Sequence, residues 1–225
     1  MAFKTVRGTA LTLAAPQFSS EVIMNRILAS TAVLMALATS AVAADAFSTN
    51  PAAVVAGVYT VEPAHTRVQF AVKHMGFTSF YGDFTCVSGS LSLDPKNVAA
   101  SKLDVTIPVA SVSTTNPKLD GELKSADWFD AATYPTMRFV STKVVQTAAG
   151  KATITGNLMM HGVTRPVVLM ASFNGAGVNP LDKAYTVGFD ATTTLKRSDF
   201  GVKTYVPMVG DETALRISAA FEKAK

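Results

Sequence analysis

The chain has one cysteine and three histidines in 225 residues. A single thiol, Cys86, excludes an intramolecular disulfide and every zinc or iron–sulfur pattern built on several cysteines. Set within Phe84-Thr85-Cys86-Val87, it reads as a small buried hydrophobe rather than a nucleophile. His65 and His74 stand nine positions apart, so on one unbroken strand they face opposite ways. With His161 they give no spacing that would gather ligands around one ion, and neither a metal nor a cofactor is expected. Charge is also scarce, at 16% of residues. Beyond Ala43 there are 17 Lys and Arg against 15 Asp and Glu, spread singly along the chain. That pattern excludes a nucleic-acid partner, which needs clustered basic residues to displace phosphate counterions. There is no Gly-x-Ser-x-Gly elbow and no His-Glu-x-x-His motif. The run Asn174-Gly175-Ala176-Gly177-Val178-Asn179-Pro180 begins like a dinucleotide loop but ends on proline, and reads as a turn between strands.

What the amino end does contain is a targeting pattern. Asn25-Arg26 gives a short basic start, residues 27–38 an apolar run, and Ala41-Val42-Ala43 a small-residue cleavage site before Ala44-Asp45. This is the layout of a secretory signal peptide. The apolar run is shorter than the roughly 20 residues of a membrane-spanning helix, although a permanent anchor is the competing reading. Met24 stands where such a peptide should begin. Residues 1–43 are therefore read as the signal region, residues 44–56 as a tether, and residues 57–225 as one exported domain.

From Tyr59 onward the hydrophobic pattern has period two, as in Val68-Gln69-Phe70-Ala71-Val72-Lys73 and Leu103-Asp104-Val105-Thr106-Ile107. Alternation of this kind sends one set of side chains inward and the other outward. Strand-like runs fall at residues 66–73, 80–87, 90–93, 102–111, 136–145, 151–160, 166–173, 184–194 and 213–221, separated by turn signals such as Asp94-Pro95-Lys96-Asn97 and Ala149-Gly150. One segment, 117–129, reads as helical, with Leu119, Leu123 and Ala126 at helical spacing. The acidic residues Asp120, Glu122, Asp127 and Asp130 read as its solvated face, balanced by Lys118 and Lys124. So many short strands with one helix predict a sandwich or a closed barrel. About eight strands enclose a space that side chains can fill or that can hold one small ligand, and pattern alone leaves both open.

Several motifs in one order then add a resemblance. Tyr59-Thr60-Val61-Glu62-Pro63-Ala64-His65-Thr66 is followed by Phe70-Ala71-Val72-Lys73-His74-Met75-Gly76-Phe77 and Gly82-Asp83-Phe84. Leu123-Lys124-Ser125-Ala126-Asp127-Trp128-Phe129-Asp130, Gly162-Val163-Thr164-Arg165-Pro166 and Arg197-Ser198-Asp199-Phe200-Gly201 come later. Over residues 59–221 the chain resembles the YceI-like proteins. The resemblance implies an all-β fold: an antiparallel, lipocalin-like, eight-stranded barrel with one short helix. It further implies a periplasmic protein that binds polyisoprenoid or another long-chain lipid, a homodimer, and a membrane-protein donor or acceptor. One departure is Glu122, where the family often has histidine, and this bears on the head group of the ligand.

The candidate ligand-binding residues are Val68, Phe70, Val72, His74, Phe80, Phe84, Ile107, Trp128, Phe129, Phe139, Leu158, Met160, Val187 and Phe189, each of which core packing would also explain. His65 or His74 could meet a polar head at the cavity mouth, and Trp128-Phe129 could cap the barrel. No catalytic residue is assigned. A lipid carrier is the leading reading. The alternatives are a structural or stress-related module with a filled core, and an enzyme using His74 or Asp127 as a base.

Overall fold

The computed structural model describes residues 47–224. Residues 1–43, read from the sequence as a signal region, and the cleavage site expected after them lie outside the described residues. The strands are β1 (Phe47–Ser48), β2 (Gly57–His74), β3 (Thr78–Phe84), β4 (Ser88–Leu93), β5 (Lys102–Pro108), β6 (Val112–Ser113), β7 (Thr136–Ala148), β8 (Lys151–Met160), β9 (Val163–Val178), β10 (Tyr185–Lys196) and β11 (Val209–Lys223), with one helix, α1 (Pro117–Lys124). Pairing is antiparallel throughout, and β11 returns to β2 to close the sheet. Both β3 and β4 pair with β2, and β6 pairs with β3 while β5 pairs with β4. Each of these couples is therefore one barrel strand interrupted by a few residues. The result is the expected eight-stranded, up-and-down barrel, in which closure removes the exposed sheet edges.

Bulges reset the inward face, as in β2 and β7. Opposite β11, the four residues 63–66 of β2 face a single residue, Ala219, so the inward set changes from Tyr59 and Val61 to Thr66, Val68 and Phe70. Glu62 holds this detour: its carboxylate accepts the Ala64 and His65 N–H groups at 2.8 and 2.9 Å. Thr66 Oγ1 donates to Glu62 O and accepts from Ala220 N. In β7 a shift between Ser141 and Lys143 moves the inward set from Met137 and Phe139 to Val144. A bulge places an extra residue in one strand, and strict period two cannot be carried through it.

Four local readings change. The Gly-rich run at 174–177 is the last part of β9, and the turn follows at 179–184. Glycine serves there because β1 lies close: Phe47 pairs with Gly177, and a Cβ on Gly175 would meet Phe47 Cδ2 at 3.2 Å. The helix stops at Lys124 because Ser125 is extended, and the Phe129 N–H turns back onto Leu123 O. Cys86 is exposed, since Phe84 and Val87 take the buried positions on either side of the break between β3 and β4. Asp120 is engaged rather than merely solvated, accepting from both the N–H and the hydroxyl of Thr114 at 2.6 Å.

Candidate functional site

The barrel interior is filled at one end and hollow at the other. At the filled end the rings of Phe70, Phe84 and Phe129 pack in sequence, the first pair tilted and the second edge to face, with centroids 5.8 and 5.6 Å apart. Leu123 from α1, Trp128, Phe200 and Val202 close over them, all buried. Glycine makes room for the rings, because any Cβ on Gly82 would overlap Phe70. Arg197 locks this end. Its guanidinium, only 6% exposed, donates to the carbonyls of Val202, Thr204 and Val209 at 2.8–2.9 Å, and its Nε donates to Gly210 O. It also lies 5.3 Å from the centre of the Trp128 ring. Asp211 balances the charge. Burial pushes its carboxyl up, but the Ser198 N–H and hydroxyl, with Arg197, outweigh burial and hold it below the usual range.

The hollow end contains a cavity of about 400 Å³, within the range of small-molecule sites. Its space comes from small side chains. Ala152 on β8 stands opposite Ala171 on β9, which in turn stands opposite Ala191 on β10, and all three face the cavity. Ala219 on β11 adds to this belt. Larger apolar groups form the remaining wall, among them Leu91, Val105, Ile154, Val167, Leu169, Leu215 and Phe221. The charged groups lining it are Lys102 and Lys151, where β5 and β8 begin; no Asp, Glu or His lines it.

The mouth is partly covered by residues 47–54. They leave β1, form a 3-10 turn at Pro51–Ala53 capped by the Asn50 side chain, and bury Val54 among Tyr59, Leu91, Val187 and Phe221. Asn50, Pro51, Ala52 and Val54 line the cavity. From Phe47 onward, then, the segment read as a tether is a strap packed on the barrel, because the edge of β9 beyond β8 accepts β1 and the apolar cluster accepts Val54. Two bonds fasten it: Val55 N–H donates to Tyr185 Oη, and the Tyr59 hydroxyl donates to Val55 O.

Of the sequence candidates, Val68, Ile107, Phe139, Leu158 and Phe189 line the cavity. Phe70, Val72, Phe84, Trp128, Phe129 and Met160 instead belong to or pack against the core of the filled end. Val187 is fully buried in the smaller cluster beneath the strap. His74 and Phe80, with ring centroids 6.5 Å apart, stand where β2 and β3 meet, at the filled end and far from the mouth. His65 is exposed on the outer surface and bonded to Glu62. His161 bonds Phe200 O at 3.1 Å. The alternation told which side chains point inward but not how far along the barrel each lies. The alanines, Lys102, Lys151 and the strap were missed. The signal available for the belt was small residues at inward positions of consecutive strands.

No group of three or more His, Cys, Asp or Glu among the described residues could hold a metal. The cavity wall also lacks a nucleophile paired with a base.

Residues 59–221 match the YceI-like domain. The chain belongs to the YceI-like family. A UPF0312 protein of Pseudomonas savastanoi pv. phaseolicola is 40% identical over 142 residues, which are 63% of this chain and 73% of that protein. The crystal structure of Burkholderia cenocepacia BcnA superposes with a TM-score of 0.65 at 28% identity, covering 71% of this chain and 98% of BcnA. A polyisoprenoid binding domain from Saccharophagus degradans shares the fold, with a TM-score of 0.57 over 74% of this chain and 98% of that one, at 14% identity. These YceI-like folds agree with the closed barrel and single helix described above.

Proposed function

We propose that this YceI-like protein is exported to the periplasm and carries a long apolar amphiphile, such as a polyprenyl phosphate or a prenyl quinone, without catalysing a reaction on it. The observation that carries this reading is the alanine-belted cavity, open at one end and walled almost wholly by hydrocarbon. The family, and the polyisoprenoid binding named for the Saccharophagus domain, support the choice of ligand class.

On β11 the wall extends from Leu215 to Phe221, about 20 Å along the strand and about 15 Å along the axis after strand tilt. A hydrocarbon tail of roughly a dozen carbons spans that depth. A longer one folds back or projects from the mouth. Each buried methylene contributes about 0.8 kcal/mol, so affinity comes from the tail, and Lys102 and Lys151 at the rim favour an anionic head. The absence of any Asp, Glu, His or Cys from the wall supports binding over acid–base or nucleophilic chemistry.

Native mass spectrometry with organic extraction of the exported protein tests the reading. A co-purifying prenyl lipid is the expected result. Lipid-free protein from which neither a polyprenyl phosphate nor a prenyl quinone displaces a fluorescent fatty probe would refute it.

A further inference from the structure

The hollow end is also the end where β9 and β10 run on past their neighbours. The Phe173 N–H donates to Gly150 O at the β7–β8 turn, and from there β9 continues to Val178 before the turn at 179–184. The projecting hairpin carries exposed apolar groups among its polar turn residues. Leu181 at its tip is 90% exposed, Val178 and the neighbouring Phe47 are exposed, and Val55 and Val58 are exposed at the same end. Five lysines stand around the rim of this end of the barrel: Lys102 and Lys151 where β5 and β8 begin, Lys223 where β11 ends, and Lys96 and Lys183 in the connecting turns. The acidic groups here are Asp94, Asp182, Glu222 and Glu62, one fewer than the lysines; burial, with Asp182 and Glu62 nearby, pushes the Glu222 carboxyl up. The two aspartates accept backbone N–H groups within their own turns.

From this we infer that the open end docks onto a bilayer containing anionic phospholipid. Leu181, Val178 and Phe47 enter the interfacial region while the lysines meet lipid phosphates. The mouth then faces the lipid, and an apolar chain passes between bilayer and barrel without crossing water. The inference rests on the carrier reading for its purpose, but the docking is measurable by itself. The lysines around the open mouth, two of which line the cavity with no acidic group beside them in its wall, select this end. The filled end also exposes apolar groups, with Phe77 85% exposed and Met75 joined to Met208 by a 2.7 Å backbone hydrogen bond, and it serves as the internal control.

The mature protein is co-sedimented with large vesicles of phosphatidylcholine alone or mixed with phosphatidylglycerol, at low and high salt. Binding is expected with the anionic vesicles only, weakening as salt screens the lysines. Leu181→Asp with Val178→Asp should lower it about tenfold, whereas Phe77→Asp should leave it unchanged; all three sites are exposed, so folding is retained. Three results overturn the inference: no vesicle binding, equal loss with Phe77→Asp, or a Leu181→Asp change in oligomeric state with vesicle binding intact, which would assign the patch to a second copy. Protein that takes up a fatty probe but ignores vesicles defeats only the docking. Protein that binds vesicles but takes up no probe defeats only the carrier reading.

Discussion

Ala171 on β9 stands directly opposite Ala191 on β10, and both side chains face the cavity. Two opposed methyl groups leave unfilled the volume that Leu or Phe would occupy at the other end of the barrel. Enlarging a residue in a well-packed core costs about 1–3 kcal/mol. Ala171→Leu and Ala191→Leu should cost almost nothing or stabilise, because each enters existing space. Urea unfolding at constant slope checks this, and a penalty at the upper end of that range would mean that the cavity is not available.

Arg197 should be the most sensitive position at the filled end. Arg197→Met leaves the carbonyls of Val202, Thr204, Val209 and Gly210 without a donor, a loss of about 3 kcal/mol or more. Arg197→Lys should recover only part of it, since an ammonium cannot reproduce the planar fork. Chemical denaturation gives the stability, and probe affinity measured below the transition should stay unchanged because Arg197 does not line the cavity.

Much of the fold was legible, because alternation and turn residues point to many short strands with one helix, and the resemblance implies their closure into an eight-stranded barrel. Less of the site was legible. Alternation points to aromatic and apolar inward residues, and bulky ones such as Phe70 and Phe84 are what fill a barrel. Space lies where inward residues are small, as at Ala152, Ala171 and Ala191. The bulges at 63–66 and near Thr142 also reverse the alternation within β2 and β7, so parity counted from one end fails at the other. The strap escaped notice because Pro51-Ala52-Ala53 has no strand or helix signature, and its place depends on the distant partners Gly177 and Tyr185.

Tyr59 should make stability fall at high pH. Burial, assisted by the neighbouring Tyr185, pushes its hydroxyl up to about 12, against about 10 in an unfolded chain. The folded state therefore holds the proton more tightly. Its stabilising contribution is complete below pH 10 and is lost as pH rises toward 12. Tyr59→Phe should reduce the pH dependence of unfolding in that window by close to one proton. An unchanged slope would show that Tyr59 does not hold the strap through a protonated hydroxyl.

Gly156 is less replaceable than Gly82. A Cβ at Gly156 would overlap the Phe139 ring and lie 2.6 Å from Val140 O, whereas at Gly82 only the movable Phe70 ring is in the way. Gly156→Ala should cost about 1–3 kcal/mol and exceed Gly82→Ala. Thermal melts of the two variants side by side decide the order.

The central claim is that the alanine-belted half of the barrel holds an apolar chain. Displacement of a fluorescent fatty probe by a prenyl phosphate, measured on the wild-type protein and on Ala171→Phe, tests it most directly. The account predicts tight displacement from the wild type and loss of probe binding in the folded variant, whose added ring occupies the cavity. Equal binding by both proteins would contradict it.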